Sequence, residues 1–372
     1  MSAPGGVPPR GRFPLLVLGF VSLASGVLGG LARLGLDGLP APAAAPALHG
    51  ALMVCGFFGT VICLERAVAL GSLWAYGAPL ASGLGGLALL AGRLGTAYVL
   101  LTLAALLLVA ANAAIVRRQP ALESATLGAA AACWLVGNAA LLAGQSVATA
   151  VPWWIAFFVL TIGGERLELS RYAPRPPAAR RMFVAIAAAV PLAALLAAFS
   201  GAAGWRLQGA ALLALAIWLW RYDIARVTVR QQGLTRYIAV CILSGYLWLA
   251  AGGLALLAGG AMQAGLLYDL ALHALMLGFV FAMVFGHAPV ILPAILRVAI
   301  PYAAVLYLPL ALLHGSLVLR AAGDLANDPT LRVLGATGNA LAIAVFIVTA
   351  AALVFRKKRA TMGATMGSDP CG

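Results

Sequence analysis

Residues 273–287 read HALMLGFVFAMVFGH, an apolar stretch with a histidine at each end. Together with its neighbours it forms a run, 266–286, of the roughly 20 residues that a helix needs to cross the hydrocarbon of a bilayer. An imidazole in hydrocarbon is costly, so what each histidine pairs with is a question of function. Similar runs recur along the chain near residues 14–34, 47–64, 74–92, 95–115, 125–144, 147–164, 182–200, 207–220, 237–259, 298–319 and 334–355, which makes twelve spans.

Composition agrees with that reading. Hydrophobic residues make up 63% and charged residues 9% of the 372 positions, and mean hydropathy is +1.02. The sequence predicts an all-α polytopic membrane protein with about twelve transmembrane helices, a single transmembrane domain over 1–372 with the lipid bilayer as its surroundings. The pieces between spans are too short to bury a core of their own.

Basic residues accumulate on cytoplasmic loops. With the N-terminus inside, the outer segments hold only Arg33, Arg93, Arg206, Arg320 and Arg332, and the rest of the 24 Lys and Arg fall on the inner side, Arg175 and the tail Arg356 to Arg359 among them. Both termini are therefore expected in the cytoplasm, in a bacterial-type inner membrane. The net charge of +14 is topogenic, and it is spread over short loops without an aromatic platform, which excludes nucleic acid as a partner. Cys55, Cys63, Cys133 and Cys241 lie inside spans without metal-ligand spacing and read as packing residues, and Cys371 sits in a polar tail.

Three spans resemble one another. Span 2 reads HGALMVCGFFGTVICLER from His49, span 6 reads PWWIAFFVLTIGGER from Pro152, and span 10 begins at His273. A recurrence every fourth helix suggests three four-helix units in a ring with pseudo-threefold symmetry. Glu65–Arg66 and Glu165–Arg166 read as structural ion pairs at cytoplasmic helix ends. Trp153 and Trp154 read as an interfacial belt.

Topology sets depth. His49, His273 and His314 fall in the outer half, whereas His287 closes span 10 at the inner face, alone. No Cys or carboxylate cluster accompanies the three, so two imidazoles on opposite faces of a flat apolar macrocycle, a haem, are the expected site. Its metal ligands would be His49 and His273, with His314 as an additional candidate and His287 ranked behind. Gly56, seven residues after His49, would share its face and leave room for the ring, while Arg320 and Arg332, flanking the loop after span 11, would meet the propionates. Met53 and Met276 lie one turn beyond His49 and His273 and make copper the competing metal.

The twelve spans, the histidines early in spans 2 and 10, and the threefold repeat resemble subunit I of the haem-copper oxidase superfamily. The 273–287 segment is also similar to a His-Ala-Leu…Gly-His segment of the NnrS family, membrane proteins tied to the nitric oxide response. The oxidase resemblance implies that His49 and His273 hold a low-spin haem, with propionate-binding arginine near Arg320. Two departures bear on activity: spans 6 and 7 carry no histidine for a second metal, and Leu275 stands where an adjacent haem ligand would be. A self-sufficient oxidase is therefore not expected. The expected function is electron relay or binding of a small gas such as nitric oxide through haem b, with a redox subunit or cytochrome as partner. The alternative is a copper-handling protein or a small-solute transporter. A two-haem arrangement using the 14-residue spacing of His273 and His287 would need a second helix of that kind, which the chain lacks.

Overall fold

The computed structural model describes residues 6–36, 38, 40–171 and 176–366, with side chains as far as Arg356. Arg175 and Cys371 lie outside the described residues. Twelve helices are long and apolar enough to cross a membrane: α1 (Pro9–Ala32), α2 (Ala45–Leu70), α3 (Leu73–Leu90), α4 (Leu94–Arg118), α5 (Leu122–Leu142), α6 (Val147–Leu169), α7 (Pro177–Ser200), α8 (Ala202–Tyr222), α9 (Gly233–Gly259), α10 (Leu266–Leu296), α11 (Ala304–Ala326) and α12 (Pro329–Arg356). They match the expected spans one for one. The chain is an all-α multi-pass membrane protein.

Helices adjacent in sequence pack side by side, and α1 meets both α10 and α12, which closes the bundle. Burial shows the fourfold period. In α2, α6 and α10, 72, 78 and 67% of the most apolar window is inside, against 33, 22 and 28% in α4, α7 and α12. Each four-helix unit thus contributes one central helix, and the outer ones turn their apolar faces to lipid. Between helices in lipid, close approach of small residues replaces the hydrophobic drive. At Gly209 of α8 an added Cβ would lie 2.5 Å from the carbonyl oxygen of Gly253 in α9, so these two backbones touch.

The central helices meet in aromatic rings. Phe58 of α2 contacts Phe158 of α6 at 4.9 Å and Phe281 of α10 at 5.1 Å between centroids, and Phe57 stacks on Phe281 at 6.1 Å. Beside them Asn138 of α5 accepts from the Trp154 indole at 3.1 Å and the Cys55 thiol at 3.3 Å, and donates to the Leu101 carbonyl at 3.1 Å. Trp154 is therefore a buried strut. It is not an interfacial belt residue, because its N–H finds its partner inside the bundle.

Both α2 and α10 widen into π-helix soon after their histidines, over Leu52–Gly59 and Ala274–Phe281. Such segments are rare and concentrate at functional sites.

Most ends shift by a few residues, and the differences around α10, α11 and α12 have consequences below. α10 continues past residue 286 to Leu296, where Arg297 adopts a left-handed conformation with φ of 56°. Pro301 then keeps the following residues extended, and α11 starts at Ala304, not at 298. Between α11 and α12 only Asn327 and Asp328 are non-helical, with the Asp328 carboxylate accepting from the Thr330 and Leu331 amides at 2.8 and 3.1 Å. Arg320 and Arg332 therefore stand on helices and do not flank a loop.

Candidate functional site

Where α2 and α10 begin, the bundle encloses a cavity of about 510 Å³, within the range of ligand and cofactor sites. Its walls come from α1, α2, α6, α10, α11 and α12, and the Phe58 and Phe281 rings form part of them. His49 and His273 both line it, on helices running the same way.

The two imidazoles are 6.4 Å apart between ring centroids, with planes 19° from parallel. His49 Nδ1 is 2.6 Å from the Gly26 carbonyl oxygen, and His273 Nδ1 is 2.8 Å from the Asp269 carbonyl oxygen. A carbonyl oxygen can only accept, so in each neutral ring the proton is on Nδ1 and the lone pair is on Nε2. Neither Nε2 has a hydrogen-bond partner among the described residues. This is how metal-binding histidines are prepared: one nitrogen donates to a fixed oxygen, the other is left as the ligand. A metal in line between two imidazole nitrogens, at about 2 Å from each, sets the centroids roughly 6 Å apart, which matches the spacing seen.

Asp269, which the sequence reading missed, ties the site together. Its carboxylate accepts from Arg320 Nε at 2.9 Å and Nη2 at 3.0 Å, and one oxygen is 3.4 Å from His273 Nδ1. Four residues before His273 on the same helix, it was within reach of an i, i+4 search. Arg332 pairs with Asp324 at 2.8 Å, and Arg33 joins Arg320 and Arg332 in the lining, again without having been singled out. The rim is thus cationic and the wall apolar. Met53 and Met276 line the same cavity.

Three expected participants stand elsewhere. A Cβ on Gly56 would lie 2.6 Å from Ser22 Oγ and 3.5 Å from Gly86 Cα, so this glycine admits α1 and α3, not a ligand. The expectation failed because the π-helical stretch turns more slowly than 3.6 residues per turn, and seven residues no longer return to one face. His314, at mid-length of the shifted α11, accepts from the Trp248 indole at 2.9 Å through Nδ1, and its Nε2 is 2.9 Å from Ser244 Oγ. Both nitrogens are used, and it braces α11 against α9. His287 is inside α10, not at its end, and its Nδ1 bonds the Met283 carbonyl at 2.7 Å.

The glycine that does bear on the site is Gly30, where a Cβ would lie 2.8 Å from His49 Cε1 and Nδ1. Gly30→Ala is expected to lower stability by about 1–3 kcal/mol through overpacking. Gly50→Ala, in the same lining but with nothing within 4 Å, is expected to be neutral or to gain up to about 1 kcal/mol of helix propensity. Denaturant unfolding of the two variants side by side checks this.

Among the described residues, no group of three or more His, Cys, Asp or Glu is placed to hold a metal ion, so a site here is limited to paired ligands. The family model for a domain of unknown function (DUF8744) matches residues 12–355, nearly the whole bundle. The chain belongs to the DUF8744 family. The match takes in all the residues of the DUF8744 cavity, from Val27 to Ile343. No curated protein and no solved structure matches the chain.

Proposed function

We propose that the cavity binds one b-type haem non-covalently between His49 and His273, and that the protein serves in electron relay or in binding and response to a small gas such as nitric oxide. The observation that carries this reading is the pair of imidazoles lining one cavity, each locked through Nδ1 and with no Nε2 hydrogen-bond partner among the described residues, at a mutual spacing suited to one metal. The apolar wall suits a porphyrin, and Arg33, Arg320 and Arg332 suit its propionates. Arg320 arrives already held by Asp269, so it is oriented before any anion binds. No Cys-x-x-Cys-His motif offers a covalent attachment.

Bound haem would supply one-electron chemistry and a site for a diatomic ligand. The resemblance to oxidase subunit I, together with the lack of histidines in α6 and α7, fits this role without oxygen reduction. The positive-inside bias supports a bacterial-type inner membrane with both termini cytoplasmic and the cavity on the outer side. A redox subunit or cytochrome is the class of partner required.

The full chain, purified in detergent from haem-replete cells, is expected to show a Soret band and a pyridine haemochrome of the b type. A colourless preparation would sink the proposal. The two thioethers in the lining favour one competing reading, a His and Met site for copper. Metal analysis of the same preparation separates the two, since copper without haem decides for the second.

A further inference from the structure

At the end of the bundle away from the cavity, the three central helices bring together a second polar group. Counted from the first phenylalanine of each, Phe57, Phe157 and Phe279, the residue eight positions on is Glu65, Glu165 and His287. The Arg66 guanidinium holds both glutamates, at 3.2 and 3.1 Å from the same Nη2. Arg166 does not pair with its neighbour Glu165, as the sequence had suggested. It is taken by Asp223 through two bonds of 2.7 Å, and Tyr246 donates to Asp223 at 2.8 Å. Two carboxylates therefore share one cation, and with Glu168 of α6 within electrostatic reach of all three, negative charge is in excess.

The second observation is independent of these charges. His287 is 9% exposed, and its Nε2 is buried without a hydrogen-bond partner. Because Nδ1 donates to the Met283 carbonyl, Nε2 carries a lone pair. It lies within electrostatic reach of Arg166, Glu65 and Asp223. Elsewhere on this part of α10, Arg12 of α1 bonds the Ile295 carbonyl at 2.7 Å, Cys241 of α9 packs at Gly286, and Phe346 of α12 stacks on Phe285. The stretch of α10 that carries His287 packs on the stretch of α2 that carries Glu65. A buried acceptor without a donor and a carboxylate in excess of its cation are both costly, and the smallest group that relieves either is a proton.

We propose that Glu65, Glu165 and His287 form one proton-binding site, which holds a single exchangeable proton between the carboxylates and the imidazole. Glu65 and Glu165, with 27 and 19% of their side chains exposed, are the side open to exchange, and His287 is the inner end. The proton rests on a glutamate carboxyl, whose O–H bond forms as a hydronium O–H bond breaks with its electron pair left on water, and nothing is oxidised or reduced. His287 Nε2, which has no partner within hydrogen-bond distance, takes no proton in this state.

The test is infrared difference spectroscopy of the full chain in lipid nanodiscs on acidification from alkaline to neutral pH, where a free glutamate, which titrates near about 4.3, stays ionised. Wild type is expected to gain a protonated-carboxyl band that shifts in heavy water. Glu65→Gln and Glu165→Gln should each erase it, since one carboxylate then matches one guanidinium. His287→Gln should keep the band but weaken the proton affinity about tenfold. A wild type without the band, a band that survives in both glutamine variants, or an affinity unmoved in His287→Gln overturns the site. Helical circular dichroism identifies any variant that fails to fold, and the wild-type band and the remaining glutamine variant then decide. Suppression of the band by sodium or potassium would instead assign the site to a cation and also overturn it.

Discussion

On the proposed haem site, chains carrying His49→Ala or His273→Ala are expected to lose most of the haem, or to hold it high-spin, while His287→Ala and His314→Ala keep the wild-type spectrum. The contrast rests on which ring nitrogens are spoken for. His314 has both occupied by Trp248 and Ser244, and His287 lies at the other end of the bundle. His49 and His273 both line the cavity with no Nε2 hydrogen-bond partner among the described residues, and neither His287 nor His314 lines it. Loss of an outer-shell partner alone typically costs 10–100-fold in metal affinity, so loss of the ligand itself should exceed that. The haem-to-protein ratio, measured alongside the Soret position, reads the outcome. Equal loss in His287→Ala would point to two haems and sink the assignment.

The second large effect is structural. Asp223→Ala is expected to cost about 3–5 kcal/mol of stability, the usual price of leaving a buried charge without its partner. The Asp223 side chain is 1% exposed and that of Arg166 4%. Besides Arg166 and Tyr246, the Asp223 carboxylate accepts from the Ala225 amide at 2.7 Å, so the substitution strands four donor groups on three residues at once. Denaturant unfolding in detergent measures this, and a change below about 1 kcal/mol would mean that water replaces the carboxylate. A double variant that also removes the charge of Arg166 should recover part of the loss, because a neutral pair has no uncompensated ion.

The helices were legible because a bilayer imposes one rule on every span, and residues such as Leu16, Leu101 and Val190 obey it without reference to one another. The site was half legible. His49 and His273 stood out as imidazoles in apolar runs, and their common depth followed from counting spans. Depth alone also gathered His314, since hydropathy started α11 at 298 and could not see that Arg297 and Pro301 delay it to Ala304. Gly56 was misjudged by extending a 3.6-residue period through a π-helix, which no composition announces. Arg166 was given to Glu165, its neighbour in sequence, whereas its partner Asp223 lies 57 positions away. Distances of that kind are set by how the helices are arranged in the ring, and single-chain patterns carry no record of it.

The phenylalanines where α2, α6 and α10 meet stand between the cavity of His49 and His273 and the polar group of Glu65, Glu165 and His287. A hydrated ion passing between them would shed its water among ring edges and faces only 4.9 to 6.1 Å apart, at an idealised expense of order 20 kcal/mol. An electron, or a proton handed between groups, carries no such shell, so the ring opposes a pore and not a relay.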